Sequence, residues 1–239
     1  AVAPDAKAQA REQVAAALRA GGYGRRECIV RVNALDTPWG LEDVRAIAGA
    51  GADAVILDLE DAVAPEAKAI ARRQAGEAVA ACRAAGLHVA IRVNAPDTPW
   101  GRDDVAAAVR AAPHAIVLPK VQTPEDIGSL SARIDTLSPG SDIGLWAMME
   151  TPRAMLRALE IADAARGPGR RLRALVLGLN DLARDTGMRP GPGRAAFVGW
   201  MADCVAAARA NGLAVLDGVC NEIHDTEALR QECLQAAEL

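Results

Sequence analysis

Residues 54–61 read Ala54-Val55-Ile56-Leu57-Asp58-Leu59-Glu60-Asp61, an apolar run that breaks into three carboxylates. The same design recurs downstream, where Leu145–Met149 runs into Glu150-Thr151-Pro152 and Ala174–Leu179 runs into Asn180-Asp181. An uninterrupted apolar run suits a parallel strand buried on both faces. Acidic groups placed where such strands end, rather than within them, suit the rim of an active site at the C-terminal end of a β/α barrel. The pattern points to metal-assisted chemistry on that scaffold.

Working outward, strand-like segments fall at 28–33, 54–59, 88–93, 115–119, 143–149, 174–179 and 213–217. Between them lie Ala-rich stretches of helical periodicity, at 65–85, 101–112, 123–136, 151–166 and 195–211, with a further helix expected at 5–20. Alternation at about 30 residues per unit predicts an α/β fold with a parallel sheet, joined by right-handed crossovers. Seven strands can be counted, so the expectation is a TIM-type (β/α) barrel that is incomplete or rearranged. Pro-Gly stretches at 138–140, 167–169 and 190–193 read as loops rather than linkers, which makes 1–239 a single domain.

A second repetition is superimposed on the first. Val2-Ala3-Pro4-Asp5-Ala6-Lys7 returns as Val63-Ala64-Pro65-Glu66-Ala67-Lys68, and Arg31 through Gly40 returns as Arg92 through Gly101 with only Leu35 changed, to Pro96. Both copies stand 61 residues apart (Val2 to Val63, Arg31 to Arg92), so 1–52 reads as a partial repeat of 62–113. Two copies are too few for a solenoid, which needs at least about three. A partial duplication explains them better.

Composition narrows the function classes. With 51% hydrophobic residues, 24% charged and a net charge of −4, the chain reads as an ordinary soluble protein. No basic stripe is present, which argues against nucleic acid as a partner. No apolar run approaches the ~20 residues a membrane span requires. The first residues do not read as a signal sequence, and the absence of an initiating Met suggests missing upstream residues. Aromatics make up only 3%, so Ala, Val, Leu and Ile must fill the core. Five cysteines (Cys28, Cys82, Cys204, Cys220, Cys233) without a Cys-x-x-Cys pair read as reduced thiols of a cytoplasmic protein. Cys220 follows a strand and reads as a small buried apolar residue, with a place near the site as the other reading.

Glu150 and Asp181 close successive strand candidates. Neighbouring parallel strands lie ~4.8 Å apart, so both carboxylates can reach one cation. Mg²⁺ takes hard oxygen ligands and keeps several waters, which leaves room for a chelating substrate. The alternative is that each carboxylate pairs with a nearby Lys or Arg as scaffolding, and spacing does not separate the two readings. Thr151-Pro152 reads as a helix start whose free N–H groups suit an anionic carboxylate. Arg92 closes a strand, and its planar fork suits a carboxylate or keto-acid oxygen; a salt bridge to Glu60 or Asp61 can coexist with that role. Lys120, in Leu118-Pro119-Lys120, reads as a charged partner for the carboxylates, with a Schiff-base lysine as the other reading. His88 and His114 fall where strands begin, and only His224 follows a strand. No zinc-like histidine cluster and no phosphate loop is present.

Five motifs in order, Asp58-Leu59-Glu60-Asp61-Ala62-Val63, Arg92-Val93-Asn94, Leu118-Pro119-Lys120-Val121, Met149-Glu150-Thr151-Pro152 and Gly178-Leu179-Asn180-Asp181-Leu182, resemble the citrate lyase beta-subunit-like group. It belongs to the wider HpcH/HpaI aldolases, which include malyl-CoA, citramalyl-CoA and citryl-CoA lyases. The resemblance covers about 53–220 and extends to Asp217-Gly218-Val219. It implies a β/α barrel that cleaves or forms a carbon–carbon bond in a 3-hydroxyacyl-CoA thioester, giving acetyl-CoA or a similar thioester and a keto acid. By that analogy Glu150 and Asp181 bind Mg²⁺. Arg92 holds the keto-acid fragment, Glu60 and Asp61 organise metal-bound water, and Glu150 and Thr151 contact substrate. A homo-oligomer, a trimer or hexamer, is implied as well. The chain departs from the family pattern at its first strand, where the repeat brings Arg31 into the slot. It also departs at the eighth strand and C-terminal lid, which have no counterpart before Leu239. Two other readings follow from these departures: an aldolase acting on free 2-keto acids, and a catalytically impaired scaffold paralogue.

Overall fold

The computed structural model of the protein describes residues 29–32, 52–222 and 225–239. The helix expected at 5–20, Cys28, His224, the side chain of Arg31 and all but 29–32 of the first repeat copy lie outside the described residues. The described residues cluster into two compact units, one of 29–32, 52–92, 110–113, 220–222 and 225–238, the other of 93–109, 114–219 and 239.

In the first unit, β1 (Ile29–Val32), β2 (Ala54–Asp58) and β3 (His88–Arg92) run parallel with β2 in the middle. Every residue of β2 is buried, as its uninterrupted apolar run leads one to expect. Helix α1 (Lys68–Ala84), entered through a 3₁₀ turn at Pro65–Ala67, connects β2 to β3. It buries a stripe of Ala71, Ala75, Ala78, Val79 and Cys82, the spacing of one helical face. Gly86 then adopts φ +79°, a left-handed conformation that only Gly reaches without a Cβ penalty. There Leu87 N–H turns back to Cys82 O at 3.0 Å and β3 can begin.

Helix α2 (Gly101–Ala111) follows β3 in the chain. In the second unit, β4 (Ala115–Leu118), β5 (Gly144–Met149), β6 (Leu172–Leu177) and β7 (Ala214–Leu216) run parallel in chain order. Between them come α3 (Pro124–Leu137), the short α4 (Pro152–Leu156) and α5 (Ala158–Asp163), α6 (Leu179–Thr186) and α7 (Val198–Ala210). Helix α8 (Thr226–Glu238) belongs to the first unit. Ile116, Leu118, Leu145, Met149, Ile127, Ile134 and Phe197 are fully buried. Asp126 fixes the start of α3 by accepting from the N–H groups of Gln122 and Thr123, both at 2.8 Å, which satisfies donors next to the helix end. Below β5 and β6, the buried Arg171 donates to Asp135, Ser141 O and Ile143 O.

Three expectations need correction. The strand expected at 174–179 spans Leu172–Leu177, because a register irregularity between Leu145 and Trp146 lets the exposed Arg173 sit within β6. Asp181 therefore does not end a strand; it lies in the first turn of α6. The single helix expected over 151–166 is broken at Arg157, where φ −119° and ψ 22° leave helical geometry. The helix expected from 195 becomes regular only at Val198, since Gly193 and Arg194 take positive φ. That turn carries the buried Arg194 guanidinium to Asp217, at 2.8 and 2.9 Å from its two oxygens. Helices α6 and α8 were not anticipated.

No helix among the described residues is long and apolar enough to cross a membrane. Cys82, Cys204 and Cys220 are free thiols. Burial pushes Cys82 up to about 11 and Cys204 up to about 12, from an ordinary 9.0. Cys220, which is half-buried, is raised as well, again chiefly by burial. An unfolded chain ionises its thiols first, so the raised thiols contribute stability that is intact below pH 9 and lost as pH rises toward their folded values. Urea denaturation between pH 8 and 11 should show stability falling with pH, each thiol adding a slope of up to about 1.4 kcal/mol per pH unit. The Cys82→Ala/Cys204→Ala double variant should flatten that fall; an unchanged slope would show that other groups cause it.

Candidate functional site

Ends of strands present two charged clusters, one in each unit. In the first unit, Asp58 and Arg92 are the last residues of β2 and β3 and stand opposite one another in register. Arg92 Nε and Nη2 donate to Asp58 Oδ1 and Oδ2 at 2.7 and 2.5 Å, a fork-to-fork pairing that fixes the guanidinium plane. Arg92 Nη1 lies 2.8 Å from Glu60 Oε2 and 3.7 Å from Asp61 Oδ2. The side chain of Asp61 is 66% exposed. Burial works against the charge of Arg92, but hydrogen bonding to Asp58 and attraction from Asp58, Glu60 and Asp61 outweigh it, so the guanidinium is held above its ordinary range. The turn after β2 is braced from several sides. Leu59 N–H donates to Arg92 O at 2.8 Å, Glu60 N–H to Asp58 Oδ1 at 2.9 Å, and the buried Lys68 ammonium to Leu59 O and Glu60 O at 2.6 and 2.7 Å.

In the second unit, Glu150 follows β5 directly and is 1% exposed. Its Oε1 accepts from the main-chain N–H of Lys120 at 2.7 Å. Lys120 holds φ +53°, a left-handed conformation uncommon outside glycine. The Lys120 ammonium touches Asp181 Oδ2 and lies 3.5 Å from Glu150 Oε1. Asp181 Oδ1 also lies 2.8 Å from Arg184 Nη1, one helical turn on. One ammonium thus lies against both carboxylates. Gly178 completes the cradle: a Cβ there would stand 2.4 Å from Glu150 Cβ and 2.8 Å from Glu150 Oε2. Thr151 caps α4, accepting from Ala154 N–H at 3.1 Å and donating to Val121 O at 3.0 Å. Its hydroxyl thus ties the turn after β4 to the start of the helix. A cleft of about 570 Å³ opens beside it, lined among others by Gln122, Arg153, Leu156, Arg157 and Asp185.

The structure brings together Glu150, Thr151 and Asp181 in one cluster and Glu60, Asp61 and Arg92 in the other. It also makes both readings of the acidic pair compatible, since the carboxylates that could share a metal are those paired with Lys120 and Arg184. Among the described residues no group of three or more His, Cys, Asp or Glu forms a metal cluster, so an ion here would have two carboxylates as its side-chain ligands. Those hard oxygens suit Mg²⁺, and in the structure they are paired with the Lys120 ammonium. Asp58 was missed as the main partner of Arg92; its place as the last residue of an apolar run, like that of Arg92, was the available signal. Lys68 and Gly178 carried no signal that spacing could supply.

Residues 44–239 match the HpcH/HpaI aldolase/citrate lyase family. The chain is 41% identical over 199 residues to a (3S)-malyl-CoA thioesterase of Cereibacter sphaeroides, covering 83% of this chain and 65% of that protein. It is 31% identical over 194 residues to citrate lyase subunit beta of Escherichia coli, covering 79% and 63%. The chain thus spans a little under two thirds of the length of these relatives. A Mycobacterium tuberculosis citrate lyase beta subunit complexed with oxaloacetate and magnesium aligns with TM-score 0.67 and 28% identity, covering 90% of this chain and 86% of that one. The α/β arrangement of parallel strands in chain order is consistent with the TIM-type barrel of that family. On the extent of the sequence match, the chain belongs to the HpcH/HpaI aldolase/citrate lyase family.

Proposed function

We propose that the protein is a Mg²⁺-dependent carbon–carbon lyase acting on a 3-hydroxyacyl-CoA thioester of the malyl-, citramalyl- or citryl-CoA type. The observation that supports this reading is that the Lys120 ammonium lies against both Glu150 and Asp181, two carboxylates close to one positive charge. When bound, the metal supplies Lewis-acid stabilisation of oxygen charge on the departing keto acid. In the cleavage direction the 3-hydroxyl loses its proton and becomes a carbonyl. The adjacent carbon–carbon bond breaks, and its electron pair passes to the thioester enolate, which takes up a proton.

Glu150 and Asp181 hold the cation. Arg92, whose guanidinium orientation is fixed by Asp58, is assigned to the keto-acid fragment, and Glu60 and Asp61 to ordering water. Thr151 acts by capping the helix beside the cleft, since its hydroxyl is engaged with the main chain.

A second reading, hydrolysis of the thioester, is favoured by the 41% identity to a protein named (3S)-malyl-CoA thioesterase. Incubation of malyl-CoA with the protein and Mg²⁺ separates them. Lysis yields glyoxylate and acetyl-CoA, whereas hydrolysis yields malate and a free CoA thiol that a thiol reagent detects. Turnover of a free hydroxy-keto acid without turnover of any thioester would select an aldolase, and no turnover of either substrate would select the scaffold reading.

Glu150→Gln and Asp181→Asn should each lower the rate at least ~10²-fold, the scale of losing a principal electrostatic contribution; full activity in either variant refutes the metal assignment. Gly178→Ala should be comparably damaging although it removes no ligand, because the new methyl group displaces the Glu150 side chain. Retained fold by circular dichroism with lost Mg²⁺ dependence is the expected result, and wild-type Mg²⁺ dependence would refute it.

A further inference from the structure

We propose that Lys120 is the resident counter-cation of the Glu150–Asp181 pair and gives up its place to an entering divalent ion, so that this lysine sets the metal affinity of the site. The inference rests on the metal reading above. Two carboxylate charges held close together repel each other unless a positive charge lies between them. Here one ammonium reaches both: it touches Asp181 Oδ2 and lies 3.5 Å from Glu150 Oε1. Arg184 pairs with Asp181 through the other oxygen, Oδ1, and with Asp185, and so can stay when Oδ2 changes partner.

The backbone allows the exchange. Lys120 secures Glu150 through its main-chain N–H at 2.7 Å, from a left-handed conformation at φ +53°. That bond does not depend on the side chain. The carboxylate therefore keeps its aim when the ammonium leaves, and the Lys120 side chain, 31% exposed, has solvent to swing into. A divalent ion entering the pair must displace the ammonium, and the contacts it breaks are subtracted from its binding.

Titration of Mn²⁺ into wild-type protein and Lys120→Met, followed by calorimetry, tests this directly, with Tm measured with and without Mg²⁺. Lys120→Met should bind Mn²⁺ roughly tenfold more tightly, the scale of losing one charge-assisted contact from the metal-free state. Its metal-free Tm should fall, and Mg²⁺ should raise its Tm by more than it raises that of wild type. Lys120→Gln, which keeps a polar chain without the charge, should tighten binding in the same way and serves if Lys120→Met does not fold. Lys120→Arg, which keeps the charge, should not tighten it. Unchanged or weaker Mn²⁺ binding in the uncharged variants, with binding in wild type abolished by Glu150→Gln, overturns the role of Lys120 and leaves the metal reading standing. No Mn²⁺ binding in wild type or in either uncharged variant overturns the metal reading, and this inference with it.

Discussion

Carboxylates gathered at the ends of buried strands need positive charge within reach, and much of the local structure follows from supplying it. Glu150 is almost wholly buried, where an unpaired charge would cost several kcal/mol. The main chain at Lys120 is bent into a left-handed turn that aims an N–H at one Glu150 oxygen. Position 178 carries no side chain, because any Cβ would fall against Glu150. The Thr151 hydroxyl joins Val121 O to Ala154 N–H, locking the turn after β4 to the helix that follows Glu150. Strain at Lys120 and the bare backbone at Gly178 thus serve one carboxylate. Backbone strain retained at such a point is characteristic of functional sites.

The first unit answers the same requirement differently. Asp58 and Arg92 face one another at the last register position of β2 and β3, and the arginine, only 3% exposed, is clasped by both Asp58 oxygens. Removing one member of such a buried pair costs about 3–5 kcal/mol because the other is left uncompensated. Arg92 is therefore a fixed charge whose orientation comes from Asp58. Lys120, by contrast, is a flexible chain ending at a partly open site. Arginine with its rigid fork suits the first position and lysine with its mobile point charge suits the second; neither could do the other's work.

Strand positions were legible because buried parallel strands leave apolar runs of four to six residues, and each expected strand lies within two residues of an observed one. Glu150 was legible for the same reason, as the first polar residue after such a run. The errors arise where a local event interrupts the period. At β6 an exposed Arg173 hides the start of the strand, and Gly178 ends it two residues early, which moves Asp181 from a strand end into a helix. At Arg194 the chain leaves helical geometry so that a buried guanidinium can meet Asp217, a long-range demand that local periodicity does not register. Lys68 was missed on similar grounds: its ammonium bonds main-chain carbonyls, and carbonyls carry no residue identity for a motif to display.

On the proposed metal reading, the two carboxylates of the second-unit site also have a physical meaning. With three or more acidic ligands, a divalent ion would be held tightly and its coordination sphere filled by protein. With two, several positions stay open to water or to a chelating oxygen donor, the arrangement Mg²⁺ adopts when it works with a substrate. An open site carries a liability, since without metal its two acidic groups repel each other. The Lys120 ammonium offsets that repulsion in the metal-free protein, while its single charge and partly exposed chain let a doubly charged ion compete for the position. On that reading, affinity low enough to exchange and stability high enough to persist without metal are opposing demands, and a partly exposed lysine against both Glu150 and Asp181 meets both.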